Sequence, residues 1–305
     1  MDFVRLLKVF VAVAEAGSFA RAAEALRMTR PAVTGAIIAL EKAVGARLLQ
    51  RTTRRTSLTG EGAELLARAG VLLDSVEATR NLFGGSREHP RGRLRIDVAV
   101  VLARALVIPA LPQFRSRYPE VELILGVSDQ PVDLVADAVD CVLRIGTLPE
   151  ASMIGRTVAL AKMVLCASPQ YLSEHGTPTD LKSLASHFAV NYFSGKVQRS
   201  LAWTLPDAAG EAALQLPSAI LANDSESLVG CALAGMGLIQ MPGLFIQEHL
   251  ASGRLVQVLP GLADVEWPIS LMYPNRQYLA PQVRAFVDWI AELVMEKPCR
   301  WLRAL

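Results

Sequence analysis

Apolar residues recur at helical spacing through the first sixty positions. Leu6, Leu7, Phe10, Val11, Val13 and Ala14 form one stripe over about residues 3–15, the three-and-four step of a single helix face. Gly17 ends that stripe. Ser18 is placed to cap a second helix running from Phe19 to Leu26 through an Ala-rich segment. Arg27 and Met28 make a turn, and Thr29 or Arg30 opens a third helix with Pro31 in its first turn, where a missing amide costs nothing. Val33, Ile37, Leu40 and Val44 place the core face of this third helix, and Gly45 closes it. Two short strands follow, Arg47 to Arg51 and Thr56 to Thr59, around a basic tip at Thr52 to Arg55.

From Gly60 the pattern changes to one long helix capped by Thr59. Leu65, Ala69, Leu72, Val76, Thr79 and Phe83 follow steps of four and three, a heptad seam suited to another chain. Packing of that seam on its own body is the alternative. Gly84-Gly85-Ser86 and His89 to Gly92 read as a hinge. Beyond it, strands and helices alternate: Leu94–Val101 extended, Leu102–Tyr118 helical but disturbed by Pro109 and Pro112, Val121–Val127 extended, Val132–Ala138 a short helix, Cys141–Ile145 extended. Such β-α-β-α order implies parallel strands with helices on both faces. The path moves to a second lobe near Ala161. There Leu181–Ser186 reads as helix, Phe188–Phe193 and Leu214–Leu221 as extended, and Asn223-Asp224 as the cap of a helix to Ala234. Gly237–Met241 is extended, Pro242 opens a helix to Leu250, and the strand Ile269–Tyr273 and helix Ala280–Leu293 return to the first lobe.

Charge sharpens this division. Residues 1–60 hold ten Lys/Arg against four Asp/Glu, a net +6, whereas residues 61–305 hold 21 against 25, a net −4. A compact basic head suggests a polyanion as its partner, against the plainer alternative of a solvated basic surface. The apolar run Val9 to Ala14 stops at Glu15, short of the ~7–15 residues of a secretory core, and no stretch of ~18 apolar residues suggests a membrane span. A cytoplasmic protein is expected. Cys141, Cys166, Cys231 and Cys299 form no C-x-x-C pair, and neither metal nor cofactor is expected.

A short helix, a turn and a second helix with a polar N-terminal tip suit a DNA major groove, and the basic ribbon suits phosphates or the adjacent minor groove. The run Phe10 to Phe19, Ala22-Ala23, Leu26, Pro31 to Thr34, Ile37, Leu40-Glu41, Val44-Gly45, Leu48-Leu49, Arg51-Thr52 and Leu58-Thr59 closely resembles the LysR-type transcriptional regulators. In the body, Pro90 to Arg95, Phe114 to Pro119, Asp140 to Gly146, Ala234 to Leu238 and Gly253 to Val256 resemble the same family. The resemblance covers about residues 3–295. It implies an α/β chain with an N-terminal winged helix-turn-helix (1–59), a long linker and dimerisation helix with its hinge (60–88), and a two-lobed effector-binding domain (89–305) like the type 2 periplasmic-binding proteins, with lobe I at about 91–160 and 268–295 and lobe II at about 161–267. It further implies double-stranded DNA and a small organic effector as partners, a homodimer tending to a homotetramer, and RNA polymerase as a further candidate partner.

Candidate DNA contacts are Ser18, Thr29, Arg30, Pro31, Thr34, Gly35 and Ile38, with Arg51, Thr52, Thr53, Arg54 and Arg55 of the wing. The family commonly carries Arg, Lys or Gln at the positions of Gly35, Ala36, Ile38 and Ala39, so this recognition helix is apolar past Thr34. Ile38 then either meets thymine methyls or packs on a neighbouring helix. Candidate dimer contacts are Leu65, Ala69, Leu72, Val76 and Phe83. Strand ends and helix starts around a cleft nominate Val100, Val101, Leu102, Ser128, Asp129, Ile145, Gly146, Thr147, Tyr192, Asn223, Asp224, Gln240 and Met241 for the effector. Relatives often hold Ser or Thr where Val100 and Val101 stand, so the expected effector is either more apolar or held through Ser128, Thr147 or the backbone amides beside Asp224. Asp224 reads equally as a plain N-cap, and Arg144 as an ion-pair partner or an effector anchor. A solute-binding protein for transport would share the body but has no use for the basic head. No G-x-S-x-G, P-loop, G-x-G-x-x-G or metal cluster points to an enzyme.

Overall fold

The computed structural model describes residues 2–51, 56–81, 90–134, 137–146, 153–193, 200–207, 210–261, 264–274, 279–296 and 299–305. The expected wing tip Thr52 to Arg55, the hinge residues up to His89, Phe83 and Thr147 lie outside them. The chain divides into two compact units, Met1–Glu88 with Asp133–Ala138, and His89–Val132 with Val139–Leu305.

The first unit opens with helices α1 (Phe3–Ala16), α2 (Phe19–Ala25) and α3 (Arg30–Val44). Asp2 and Thr29 cap α1 and α3 through their side chains, and Gly45, at φ 73°, ends α3 in the left-handed conformation that a Cβ disfavours. Ser18 takes the N-cap position of α2 with extended backbone but makes no side-chain cap bond. Leu6, Leu7, Phe10, Val13, Phe19, Val33, Ile37 and Leu40 form the core. Val44, expected on that face, is exposed, whereas Ala36 is fully buried. The buried stretch of α3 runs from Val33 to Leu40 and takes in Ala36, and Val44, the last residue of the helix, lies beyond it. Strands β1 (Leu49–Arg51) and β2 (Thr56–Leu58) pair antiparallel, with Gln50 opposite Ser57.

Helix α4 (Gly60–Asn81) starts under a double cap. Thr59 Oγ1 accepts the Gly62 N–H at 2.9 Å and donates to the Arg47 carbonyl at 2.7 Å. A Cβ at Gly62 would stand 2.0 Å from the Leu48 carbonyl oxygen, so glycine is what lets helix and wing approach so closely. Ala69 is fully buried in the core of this unit, and Leu65, Leu66 and Leu73 pack against it. The seam expected to face another chain is thus used, in its first half, by the head's own core.

The second unit is built on one mixed sheet. Strands β3 (Gly92–Val98), β4 (Val121–Val127) and β5 (Cys141–Ile145) run parallel. Between β3 and β4 lies a continuous helical run: α5 (Val100–Leu102), a π-turn (Ala103–Val107) and α6 (Ile108–Arg117). Pro109 and Pro112 each remove an i→i−4 donor, and the run widens just before them and does not break. Of the segment 132–138, expected as a short helix, residues 135 and 136 lie outside the described ones, and the Asp137 N–H donates to the Asp133 carbonyl at 2.9 Å. The Asp137 carboxylate accepts the Asp133 N–H in return at 3.1 Å, a side-chain alternative to helix propagation.

Two long strands carry the sheet onward. β6 (Met153–Ala167) pairs antiparallel with β13 (Val265–Pro274), and β13 pairs with β5. The expected passage between lobes near Ala161 is thus the middle of an unbroken strand. The far end of β6 holds β11 (Ile239–Pro242) and β12 (Val256–Gln257). Around that end lie α7 (Pro169–His175), the parallel pair β7 (Ala189–Tyr192) and β10 (Ser218–Ala222), the hairpin β8 (Trp203–Asp207) and β9 (Gly210–Leu214), α8 (Ser225–Leu233) and α9 (Gly243–Ala251). The run Leu214–Leu221, expected as one extended segment, is therefore split between two sheets. α10 (Pro281–Glu296) lies in the main core through Phe286, Trp289 and Ile290. Last, β14 (Leu302–Ala304) adds to β6 opposite Ala159–Ala161, and Trp301 is buried against α9.

Candidate DNA-binding surface and ligand cavity

On α3 the polar tip and the apolar flank are both accessible. Arg30, Pro31 and Gly35 are exposed and Thr34 is half-buried. Ile38 is 58% exposed, so it does not pack within its own unit. A Cβ on Gly35 would meet nothing within 4 Å. Ala36 belongs to the core and Ala39 is packed against it, which narrows the outward apolar flank to Gly35 and Ile38. The Thr29 hydroxyl oxygen accepts the Ala32 N–H at 3.4 Å and so holds the first turn of α3. The turn before it uses Arg27 at φ 51°, a left-handed residue held by the Met28 N–H on the Ala23 carbonyl.

Glu41, which the sequence reading left without a role, ties the wing to α3. Its Oε1 accepts the N–H groups of Leu48 at 2.9 Å and Leu49 at 3.3 Å. Two backbone amides on one carboxylate fix where β1 leaves the helical core. On α4, Leu72 is 48% exposed and Val76 half-buried, so the outward part of the expected dimer seam starts there.

In the second unit a cavity of about 200 Å³ opens where β3, β4, β5, β7 and α8 meet. Val101, Asp129, Ile145, Tyr192, Gln240 and Met241 line it as expected, together with Arg144, Met163, Leu201, Trp203, Ser225, Leu228 and Trp267, among others. Leu102 is instead fully buried in the core. Val100, Ser128, Gly146, Asn223 and Asp224 stand outside the lining, and each of the following has a structural task. Ser128 Oγ accepts the Gln130 N–H at 3.0 Å. Asp224 caps α8 by accepting the Ser227 N–H at 2.9 Å. The Asn223 carbonyl accepts Gln130 Nε2 at 2.7 Å. Arg144 pairs with Asp97, both side chains largely buried, and also donates to the Gln130 carbonyl at 3.3 Å. Arg144 is therefore an ion-pair partner that also forms part of the wall.

Asp129 is the polar centre of the cavity. Its Oδ1 accepts the Val100 N–H at 2.9 Å and its Oδ2 the Ser225 N–H at 2.7 Å. Its carbonyl accepts the Tyr192 hydroxyl at 2.5 Å. Gln240 donates through Nε2 to the Thr204 carbonyl at 2.7 Å, which orients its remaining amide atoms along the wall. No single stretch of sequence announces Trp203 or Trp267. The first comes from the hairpin β8–β9 and the second from β13, which crosses the sheet after the other wall residues have been laid down.

A winged helix-turn-helix head and a sheet-based body with a largely apolar cavity define a ligand-responsive DNA-binding regulator. Residues 4–63 match the family model of bacterial regulatory helix-turn-helix proteins of the lysR family, and residues 87–294 match that of the LysR substrate binding domain. The chain belongs to the LysR family of transcriptional regulators. It is 37% identical over 296 residues to the HTH-type transcriptional regulator YhjC of Escherichia coli (strain K12), covering 97% of this chain and 99% of that protein. It is 34% identical to an HTH-type transcriptional repressor of Pseudomonas aeruginosa (strain UCBPP-PA14), covering 98% and 94%. Among solved structures, CrgA of Neisseria meningitidis superposes with a TM-score of 0.59 at 32% identity, covering 94% of this chain and 97% of that one. Full-length AphB of Vibrio cholerae gives 0.57 at 27%, covering 96% and 99%.

Proposed function

We propose that this regulator reads a pseudo-palindromic promoter site as a homodimer, or a dimer of dimers, and that an uncharged organic effector in the cavity between β3, β7 and α8 alters that binding. The observation that carries the first part is α3. Its inner face is fully buried, and it presents Arg30, Thr34, Gly35 and Ile38 outward on a head of net charge +6. Few outward side chains can hydrogen-bond to bases, so DNA shape, thymine methyls and phosphate contacts carry the remaining selectivity. Ser18, whose hydroxyl caps nothing, and the wing residues Arg51 to Arg55 are assigned to phosphates.

Leu72, Val76 and Phe83 are assigned to the partner helix, and RNA polymerase is a further partner once the complex sits on a promoter. We assign no catalytic step to the cavity and place the protein in the cytoplasm. Among the described residues no helix is long and apolar enough to cross a membrane. Genome-wide mapping of bound DNA, followed by anisotropy titration on the recovered sites, tests the reading. Binding that is indifferent to sequence, or that survives combined Arg54→Ala and Arg55→Ala changes at raised salt, would overturn it.

A further inference from the structure

Both oxygens of Asp129 are taken up by backbone N–H groups at the starts of two separate helical segments, Val100 on α5 and Ser225 on α8. Amides converging in this way make a good seat for a carboxylate. Here the seat is already filled from within the chain. The filling side chain is also tied down at its backbone. The Tyr192 hydroxyl donates to the Asp129 carbonyl, and the neighbouring Gln130 spans to the Asn223 carbonyl. Residues following β4 are thereby fastened to β7 and α8 across the cavity.

The rest of the lining has no charge to offer a ligand. Asp129 and Arg144 are its only charged members among the described residues, and the Arg144 guanidinium is paired with Asp97. What remains is uncharged: Val101, Met163, Trp203, Leu228, Met241 and Trp267 are apolar or aromatic, and Tyr192, Ser225 and Gln240 are neutral polar members. A ligand carboxylate entering this space would meet a fixed carboxylate of like sign with no free cation beside it.

We propose that Asp129 is a built-in carboxylate that occupies the anion position of the cavity and so restricts its ligand to uncharged apolar molecules. The proposal rests on the cavity being the effector site of this regulator. It adds that one residue sets the charge class of what enters.

The test uses the full-length protein, its Asp129→Ser and Asp129→Asn variants, and two probes matched in shape, cyclohexanecarboxamide and cyclohexanecarboxylate. Binding is followed by calorimetry and by tryptophan emission, since Trp203 and Trp267 line the cavity. The expected result is that the wild type binds the amide roughly tenfold or more tightly than the carboxylate, as like-charge exclusion requires. Asp129→Ser reverses the preference, because the Val100 and Ser225 amides then take the probe's carboxylate. Asp129→Asn, which keeps the side-chain volume, loses the discrimination without gaining the anion. Equal affinity of the wild type for both probes, or an unchanged preference in Asp129→Ser, overturns the proposal. Should neither probe bind either protein, hydrogen exchange decides. Amides of Val100 and Ser225 that exchange no faster in Asp129→Ser overturn it, and exchange on the order of tenfold faster supports the clasp. Operator binding is titrated separately, so a chain that fails to bind DNA sinks the regulatory reading and leaves the probe result to be judged alone.

Discussion

Trp301 lies against the backbone of Gly243, so close that a Cβ on that glycine would stand 2.3 Å from the indole ring. The contact seats the last strand of the chain on the start of α9, and the Lys162 N–H on the Trp301 carbonyl at 2.9 Å fixes its register. Gly243→Ala is expected to destabilise the protein by about 1–3 kcal/mol, the usual cost of overpacking a filled site. Trp301→Ala leaves a void and is expected to cost about 3–5 kcal/mol. Urea titrations of both and of the double variant check this. The double variant should lose less than the sum, since the alanine methyl gains room when the ring is gone.

Glu41 holds the wing by accepting two amides. Glu41→Ala should cost about 1.5–3 kcal/mol, the range for hydrogen bonds to a charged group, with Glu41→Gln closer to wild type. Because the amides lie at the entry to β1, operator affinity should fall in Glu41→Ala even at temperatures where the head stays folded. Anisotropy titration beside a melting curve separates the two effects.

Recognition through Ile38 predicts a change of preference more than of strength. Ile38→Ala should weaken discrimination for thymine at one position of each half-site, by about 1–3 kcal/mol at most, in a randomised-site selection. Gly35→Arg, placed where nothing obstructs it, should raise affinity for unrelated DNA and steepen the salt dependence by about one unit of log–log slope for each added phosphate contact. An unchanged slope would place residue 35 away from the backbone of the duplex.

Two histidines of the second unit, His187 and His249, are held below the usual imidazole range, in each case chiefly by burial. His175 beside the first and Arg254 beside the second act in the same direction. The unfolded chain therefore takes up protons at a pH where the folded one does not, so stability falls as pH drops through about 6.5, the ordinary imidazole value. His187→Gln should flatten the acid side of a plot of Tm against pH between about 7 and 5. A variant with the same acid slope as wild type would exclude His187 as a source.

Burial raises the thiol of Cys166 to about 12 and pushes that of Cys141 higher still. Both remain protonated and inert under native conditions. Cys299 is exposed. A disulfide reagent at neutral pH should label Cys299 first, and label Cys141 and Cys166 only on unfolding, as read by mass spectrometry of quenched samples.

The head was largely legible because its signals are local. The α1 stripe, the Thr59 cap and Gly45 all act within a turn or two of helix, and the structure places each where its spacing predicts, while the α3 stripe holds from Val33 to Leu40 and loses Val44. Ser18 shows the limit: the position was right, but its hydroxyl orientation depends on neighbours that a sequence does not specify. In the body, strand ends nominated Asp129, Tyr192 and Gln240 correctly as cavity wall. Trp203 and Trp267 were missed because a hairpin and a crossing strand bring them there. Their partners lie far off in sequence, and nothing in their own neighbourhood marks them. The alternation that identified Val121–Val127 fails for β6, whose second half, from Val158 to Ala167, is mostly buried and apolar. Leu65 and Ala69 were assigned outward because a heptad seam carries no label saying which body it serves.

The burial of Leu65 and Ala69 gives α4 a mechanical character. Its base, as far as Leu73, is keyed into the core that also holds α3 through Val33 and Ile37. From Leu73 to Asn81 the helix runs on for roughly 12 Å at 1.5 Å per residue. Base and reading helix form one stiff piece, so a tilt applied at the far end arrives at Arg30 and Ile38 as a rotation of the whole head. In the proposed homodimer, the angle at which two such levers cross would then fix the distance between the two grooves they read.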